Sequence, residues 1–341
     1  AEARWRAEGQ HDNGFIAGNN QDFLLQRFRV GLGVKPTSWL RFYGQLQDAR
    51  SPGIPNATAS TRNTLDLRQA YVDIGHEDQW WDVKAGRQVL AFGSERVIGA
   101  GNWTNPGREF DAVKLGVHHG ANRVDLFSST VVVTNANAWD HHVKGDNLHG
   151  AYASLGSLLP DAKIEPYVLF RFSPRFVGEH GVAGHYNSAT YGVRTAGVYQ
   201  KDWNYELEIL GQGGTIGTQQ LRAWAATALV RRVFEHITWM PSLLVEYSFA
   251  SGDQHQGDGK VNTFDQLYPT NHGIYGIVDA MGRRNMKDLR GGIWLQPEHW
   301  LTLKTEAHDF WLASRYDGLY SASGALSVAP DRKSTRLNSS H

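Results

Sequence analysis

The 341-residue chain contains no cysteine, three methionines and eleven prolines, and its 34 basic residues are matched by 34 acidic ones. Without cysteine there is no disulfide scaffold, no thiolate metal site and no thiol nucleophile. Without net charge there is no global attraction to nucleic acid. No run approaches the roughly 20 consecutive apolar residues that a membrane-spanning helix needs; the richest are short stretches of the kind found at residues 129–134. What the chain does have is 37 glycines and 12 Trp, 13 Tyr and 14 Phe. That much aromatic surface excludes a disordered polymer, and the length allows one large domain or two ordinary ones.

The dominant signal is a period of two. Tyr205, Leu207 and Ile209 alternate with Asn204, Glu206 and Glu208; Leu243, Val245, Tyr247 and Phe249 alternate with Leu244, Glu246 and Ser248; Val113, Leu115 and Val117 alternate with Ala112, Lys114 and Gly116. Residues around Val168 and Leu303 follow the same rule. Such alternation specifies strands with one apolar and one polar face. It predicts about fifteen strands before residue 313 and one more through Leu319–Val328.

The predicted connections alternate short and long. Short ones fall at 35–38, 75–79, 118–121, 156–162, 199–202, 234–236 and 296–299, and long ones at roughly 10–21, 49–64, 90–109, 132–147, 173–188, 212–220 and 250–284. Five of the seven short turns are followed closely by tryptophan: Trp39, Trp80 with Trp81, Trp203, Trp239 and Trp300. A propeller requires a self-similar period of roughly 40–50 residues, which is missing. A soluble sandwich does not call for loops alternating in length or for tryptophan at one level. A transmembrane antiparallel up-and-down β-barrel calls for both, with apolar residues outward, long loops on one side and aromatic belts at the lipid interface. The wet interior of such a barrel also accounts for the mean hydropathy of −0.44.

This reading assigns residues 1–330 to one barrel, incomplete at both ends, with about 16 strands present. The run 331–341 breaks with the preceding composition and resembles translated read-through of a sequencing adapter, so it is set aside as non-native.

If apolar residues face lipid, their alternates face the lumen. These include Arg27, Arg29, Arg41, Lys84, Lys114, Arg171, Arg194, Arg290 and Lys304, with Glu165, Glu206, Glu208, Glu246, Asp288 and Glu306 between them. Of the 34 basic residues, 24 are arginine, whose planar fork matches carboxylates and never deprotonates. A ladder of such groups suits the passage of an anionic polymer, with acidic neighbours weakening each site enough to release. The plainer alternative is a hydrated wall whose charges pair across strands. Asp253 and Asp258, in the Gly-rich run 251–259, are weak Ca²⁺ candidates, since they lack the spacing and closing Glu of an EF-hand. No motif singles out a catalytic group or cofactor, and no enzyme is expected.

Two segments carry a resemblance. The run Gly86-Arg-Gln-Val-Leu-Ala-Phe-Gly-Ser-Glu-Arg-Val-Ile-Gly99, with Asn102-Trp-Thr-Asn105 and Gly107-Arg-Glu-Phe-Asp-Ala-Val113, resembles the alginate export family of outer-membrane porins. So does Ser251-Gly-Asp253 continuing to Thr263–His272 and Gly276–Asp279. The resemblance implies a Gram-negative outer-membrane barrel, eighteen strands when complete, that exports an acidic polysaccharide passively through an Arg-lined constriction. Its surroundings would be outer-membrane lipid and lipopolysaccharide, with periplasmic export partners. Carried onto this sequence, it points to Arg87, Arg96, Arg108 and Asp111 in the first segment. In the second it points to Asp253, Asp265, Tyr268, Asn271, His272 and Asp279. The alternatives are a general or small-solute porin and, from another class, a soluble all-β protein that binds or cleaves glycans.

Overall fold

The computed structural model describes residues 1–12, 17–75, 79–177, 183–330 and 336–337. Among them no helix is long and apolar enough to cross a membrane, and strands make up the architecture. The chain divides into two compact units.

The first unit holds residues 1–119, 124–150 and 267–270. Its strands are β1 (Glu2–Gln10), β2 (Gln21–Thr37), β3 (Leu40–Arg50), β4 (Asn63–Gly75), β5 (Trp81–Gln88) and β6 (Phe110–His119), with most of β7 (Asn122–Val133) and β8 (His141–Leu155). From β1 to β6 each strand pairs antiparallel with the next. The second unit holds residues 120–123, 151–266 and 271–341. It contains β9 (Ala162–Val177), β10 (Ala183–Tyr199), β11 (Trp203–Ile216), β12 (Gln219–Val233), β13 (Ser242–Ala250), β15 (Met286–Glu298) and β16 (Leu301–Leu312). These also form an antiparallel meander in chain order. The two-residue β14 (Lys260–Val261) lies parallel to the start of β12.

Among the described residues, fifteen long strands therefore precede residue 313. The segment expected to give one more strand instead forms a hairpin of its own, β17 (Leu319–Tyr320) with β18 (Leu326–Val328). The reason is local: Ser321 N–H donates to the Ala325 carbonyl, and Gly324 at φ 82° closes the turn. Most of 331–341 lies outside the described residues; of it, Arg336–Leu337 (β19) pairs with Phe310–Trp311.

Several strands outrun their apolar pattern. Loops expected at 173–188 and 212–220 are largely strand: β9 reaches Val177, β10 starts at Ala183, and only Gly217 and Thr218 separate β11 from β12. A span of about 9–11 residues crosses the hydrocarbon. Beyond it both faces are wet, so hydrogen bonding continues while alternation stops, as in Gln212-Gly-Gly-Thr215.

The side chains are arranged inside-out relative to a soluble protein. On β2, Val30 and Leu32 are 64% and 73% exposed while Arg27 and Arg29 are each 4% exposed. On β13, Leu243, Val245 and Tyr247 face out, whereas Glu246 and Ser248 are fully buried. Lipid is the solvent in which this outer face is favourable: a Lys or Arg placed there costs roughly 2–4 kcal/mol at mid-depth.

Trp39, Trp80, Trp239 and Trp300 are exposed at or beside the short turns, as a belt at the headgroup level requires. Trp203 is half-buried, with the Arg232 guanidinium 4.9 Å from its ring. In variants retaining only Trp39, Trp80 or Trp300, quenching by headgroup-level nitroxide lipid is expected to exceed quenching by aqueous iodide several-fold. The reverse order would remove these residues from the lipid interface.

Candidate functional site

In each unit a long loop is seated on the polar face of its own strands. In the first unit this is the 89–109 connection between β5 and β6. Period-two alternation turns Arg4, Arg6, Arg27, Arg29 and Arg68 toward that face, and their guanidiniums meet the loop. Arg4 donates to the Asn102 carbonyl (2.9 Å) and the Asn105 side chain (3.1 Å). Arg6 donates to the Trp103 carbonyl (2.7 Å) and lies 3.7 Å from the centre of its ring. Arg27 reaches the Asn102 and Asn105 carbonyls (3.2 and 3.1 Å), and Arg29 the Pro106 carbonyl (2.7 Å). Glu2 ion-pairs with both Arg27 and Arg29. Arg68 is bridged to the buried Glu109 at 2.9 Å. Asn105, fully buried, donates from its side-chain amide to the carbonyls of Gln26, Arg50 and Thr61 at 2.9–3.0 Å. Gly107 has φ 93°, and a Cβ there would come within 3.2 Å of Arg29 and 3.4 Å of Arg68.

The same loop grips residues 267–270. Arg108 donates to the carbonyls of Gly99, Tyr268 and Pro269 (3.1, 2.6 and 2.9 Å). Thr270 Oγ1 donates to Glu95 (2.6 Å), which also accepts from Ala100 N–H (2.9 Å). Ile98 and Tyr268 form a parallel bridge. Parts of the two motif segments, more than 150 residues apart in the chain, are thus one structure, with Arg108 separated from Tyr268 by 160 positions. Burial lowers the Arg108 pKa. Burial also pushes the Glu109 carboxyl up to about 7, against the pull of Arg68 and Arg29.

Other cations of the first unit form a cross-strand row nearer the short turns. Arg41 on β3 is in register with Asp73 on β4, Asp73 with Lys84 on β5, and Lys84 with Lys114 on β6. The contacts are loose: Arg41–Asp73 4.0 Å, Lys84–Asp73 3.5 Å and Lys114–Asp125 3.3 Å. Arg41 keeps 43% of its side chain exposed and Lys84 29%. Two tyrosines share the row, Tyr43 and Tyr71, with ring centres 5.1 Å apart; Arg41 sits 5.3 Å from Tyr43, and Lys84 4.4 Å from Tyr71. Gly31 on β2 leaves room for this pair, since a Cβ there would lie 2.5 Å from the Tyr43 hydroxyl. Arg87, further along β5, is paired bidentately with Asp111 on β6 at 2.8 and 3.2 Å.

In the second unit the seated loop is 251–266 with 271–285. Asp265 accepts from Arg171 (2.7 Å) and from the Tyr186 hydroxyl (2.8 Å), and its backbone exchanges two hydrogen bonds with the Gln212 side chain (2.8 and 2.7 Å). The nearby Arg171 and Arg284 charges hold the Asp265 carboxyl below its usual range despite the opposing effect of burial. Arg283, fully buried, donates to Glu208 (2.7 Å) and Thr227 (3.0 Å). Arg194 lies between Glu165 and Glu206, and Arg290 between Glu246 (3.3 Å) and Glu306 (2.7 Å).

Arg96 is buried in the first loop. Asp253 accepts from the backbone N–H groups of His255 and Asn262 (2.7 and 3.0 Å), and Asp258 from that of Lys260 (2.8 Å), so both carboxylates organise turns. No cluster of three metal-ligating side chains occurs among the described residues. Asn271 donates to Gln266 (2.9 Å), and Asp279 contacts His272 Nδ1 at 3.0 Å. Lys304 stands 4.2 Å from the Trp294 ring. Arg68 follows the alternation with Leu65 and Leu67 and was within reach of sequence reasoning. Glu109, Asn105 and Arg283 lie in loops, where no period marks them.

Apolar residues outward, a charged wall inward and long loops seated on that wall are the construction of an outer-membrane β-barrel channel. The model of the family described as Alginate export matches residues 1–339, and the chain belongs to that family. Its setting is the outer membrane of a Gram-negative bacterium, and the family indicates a channel rather than an enzyme. Among solved structures, the fold is similar to OccK11 (OpdR) of Pseudomonas aeruginosa, with TM-score 0.53 and 12% identity over 91% of this chain and 77% of that one. The outer membrane channel DcaP of Acinetobacter baumannii gives TM-score 0.44 and 12% identity over 89% and 81%. OccAB4 of the same organism gives 0.46 and 9% over 90% and 91%. No curated protein matches the chain.

Proposed function

We propose that this channel passes an anionic polysaccharide of the polyuronate type outward, down its concentration gradient. The supporting observation is the row Arg41–Lys84–Lys114 with Tyr43 and Tyr71. Its three cations outnumber its two carboxylates, Asp73 and Asp125. It lies toward the short turns, which in bacterial barrels are periplasmic. Loosely held cations can exchange partners, so a sugar carboxylate competes with Asp73 and is released again. The tyrosine rings offer apolar surface to the C–H faces of the sugars. By contrast Arg27, Arg171, Arg194 and Arg290 are held in ion pairs; on this reading they keep the wall and the loops in shape and set the background field.

The test is single-channel recording in planar bilayers with polyuronate added on the short-turn side, against a neutral glucan of matched length. Block by the acidic polymer alone is expected. Replacing Arg41, Lys84 and Lys114 together with Ser should weaken that block about tenfold or more, because two carboxylates then remain in the row. Open channels indifferent to both polymers would identify a small-solute porin instead.

A further inference from the structure

The second unit carries a cavity of about 770 Å³ on its polar face near the short turns, lined by Lys163, Ala196, Glu206, Leu229, Arg231, Leu244 and Trp294 among others. This is within the range of pockets that hold small ligands, roughly 300–1,000 Å³. Strand register explains its position. Arg231 on β12 is in register with Leu244 on β13, and Leu244 with Gly292 on β15, where the absent side chain leaves the space that Glu306 and the Trp294 indole fill. Trp294 and Lys304 face each other across β15 and β16.

The electrostatics differ from the rest of this wall. Arg194 and Arg290 each lie between two carboxylates. Arg231, Lys163 and Lys304 form no ion pair among the described residues. Arg231 and Lys304 are instead placed against the Trp294 ring, at 4.6 and 4.2 Å, and the indole N–H donates to Glu306 at 2.7 Å, which fixes the ring. A cation–π contact positions a cation without neutralising it, so these charges stay available to an incoming anion. Of the two carboxylates in the lining, Glu206 is already bound by Arg194 at 2.9 Å, and Asp161 sits in the short turn at the edge of the cavity. The floor, Leu229, Leu244 and Ala196, is apolar.

We infer that this cavity is a binding subsite for a short oligouronate segment, with a sugar carboxylate on Arg231 and Lys163 and the sugar's C–H face on the leucine floor. Trp294 is a positioning residue that holds Arg231 and Lys304. The inference rests on the polyuronate reading above and adds a defined docking point to it.

The experiment is calorimetric titration of the detergent-solubilised full chain with a mannuronate trisaccharide and, separately, with maltotriose. Tighter binding of the acidic trisaccharide, by about tenfold or more, is expected. Arg231→Gln should weaken it about tenfold and leave maltotriose unchanged. Trp294→Leu should also weaken it, with Trp294→Phe restoring most of the loss because a ring is regained. Arg231→Gln lies on the wetted wall and serves if the tryptophan variants fail to fold. A wild type that prefers neither sugar, or an Arg231→Gln variant that binds the acidic trisaccharide undiminished, would overturn the subsite. Polymer block in bilayers separates the two claims: block that survives in Arg231→Gln with unchanged trisaccharide binding sinks the subsite alone, and a wild type that polyuronate never blocks sinks the passage reading.

Discussion

Asn105→Ala is expected to release the 101–107 segment from the wall of the first unit and to make the open channel noisy. The two N–H groups of the buried amide are shared among three carbonyls, belonging to Gln26, Arg50 and Thr61, at 2.9–3.0 Å. Leaving buried acceptors unpaired costs about 1–3 kcal/mol per group, so a total near 3 kcal/mol is reasonable. That raises the population of the released loop about 100-fold. The remaining arginine contacts from Arg4, Arg6, Arg27 and Arg29 keep the loop close, so the barrel itself should still assemble. Hydrogen exchange reads the first effect: the Asn105 amide, which donates to the Ser60 carbonyl at 3.0 Å, should lose protection. Single-channel current reads the second, as bursts above the main level. Asn102→Ala is the contrast, because its side-chain oxygen meets Arg29 and Arg68 only at 3.4 Å. Unchanged exchange and a quiet current in Asn105→Ala would show that the loop is held without this residue.

The strands and their facing were legible in the sequence because a barrel wall obeys one rule everywhere. Leu207 and Ile209 against Glu206 and Glu208, or Val30 and Leu32 against Arg29, state the rule residue by residue, and the structure places each on its expected face. The same rule located Arg41, Lys84 and Lys114 on the polar side. It could not say how tightly each is held, because that depends on neighbours across the sheet. Arg194 meets Glu165 and Glu206 through registers that no single strand records. Nor could alternation locate strand ends outside the membrane, where β10 and β11 continue on hydrogen bonding alone. The loops were least accessible. That Arg108 fastens to Tyr268 and Pro269, and Arg283 to Glu208, follows from tertiary folding of long connections, for which spacing holds no signal. The family resemblance flagged both segments without indicating that they touch.

Glu109 gives the seated loop a dependence on pH whose sign is fixed. Burial pushes its carboxyl up to about 7, from the 4.5 expected when the loop is released. Between those values the seated state holds more protons than the released one, so seating weakens as pH rises and changes no further above about 7. The linkage is about 1.4 kcal/mol per pH unit at most, or about 3 kcal/mol across the window. The groups that bear on Glu109 are Arg68, Arg29 and Arg87, which favour its charge, and Asp140, which opposes it. Asp140 is itself pushed up to about 6 by burial and the nearby Asp66 charge. Current bursts should therefore be rarer, and the protection of the Asn105 amide relative to its intrinsic exchange rate higher, at pH 5 than at pH 8 in the wild type. Glu109→Gln removes that swing, and at pH 8 its loop should be better protected than the wild type's. A Glu109→Gln channel with the full wild-type pH profile would assign the dependence to another group, and a wild type flat from pH 5 to 8 would show that Glu109 stays in one protonation state whether or not the loop is seated.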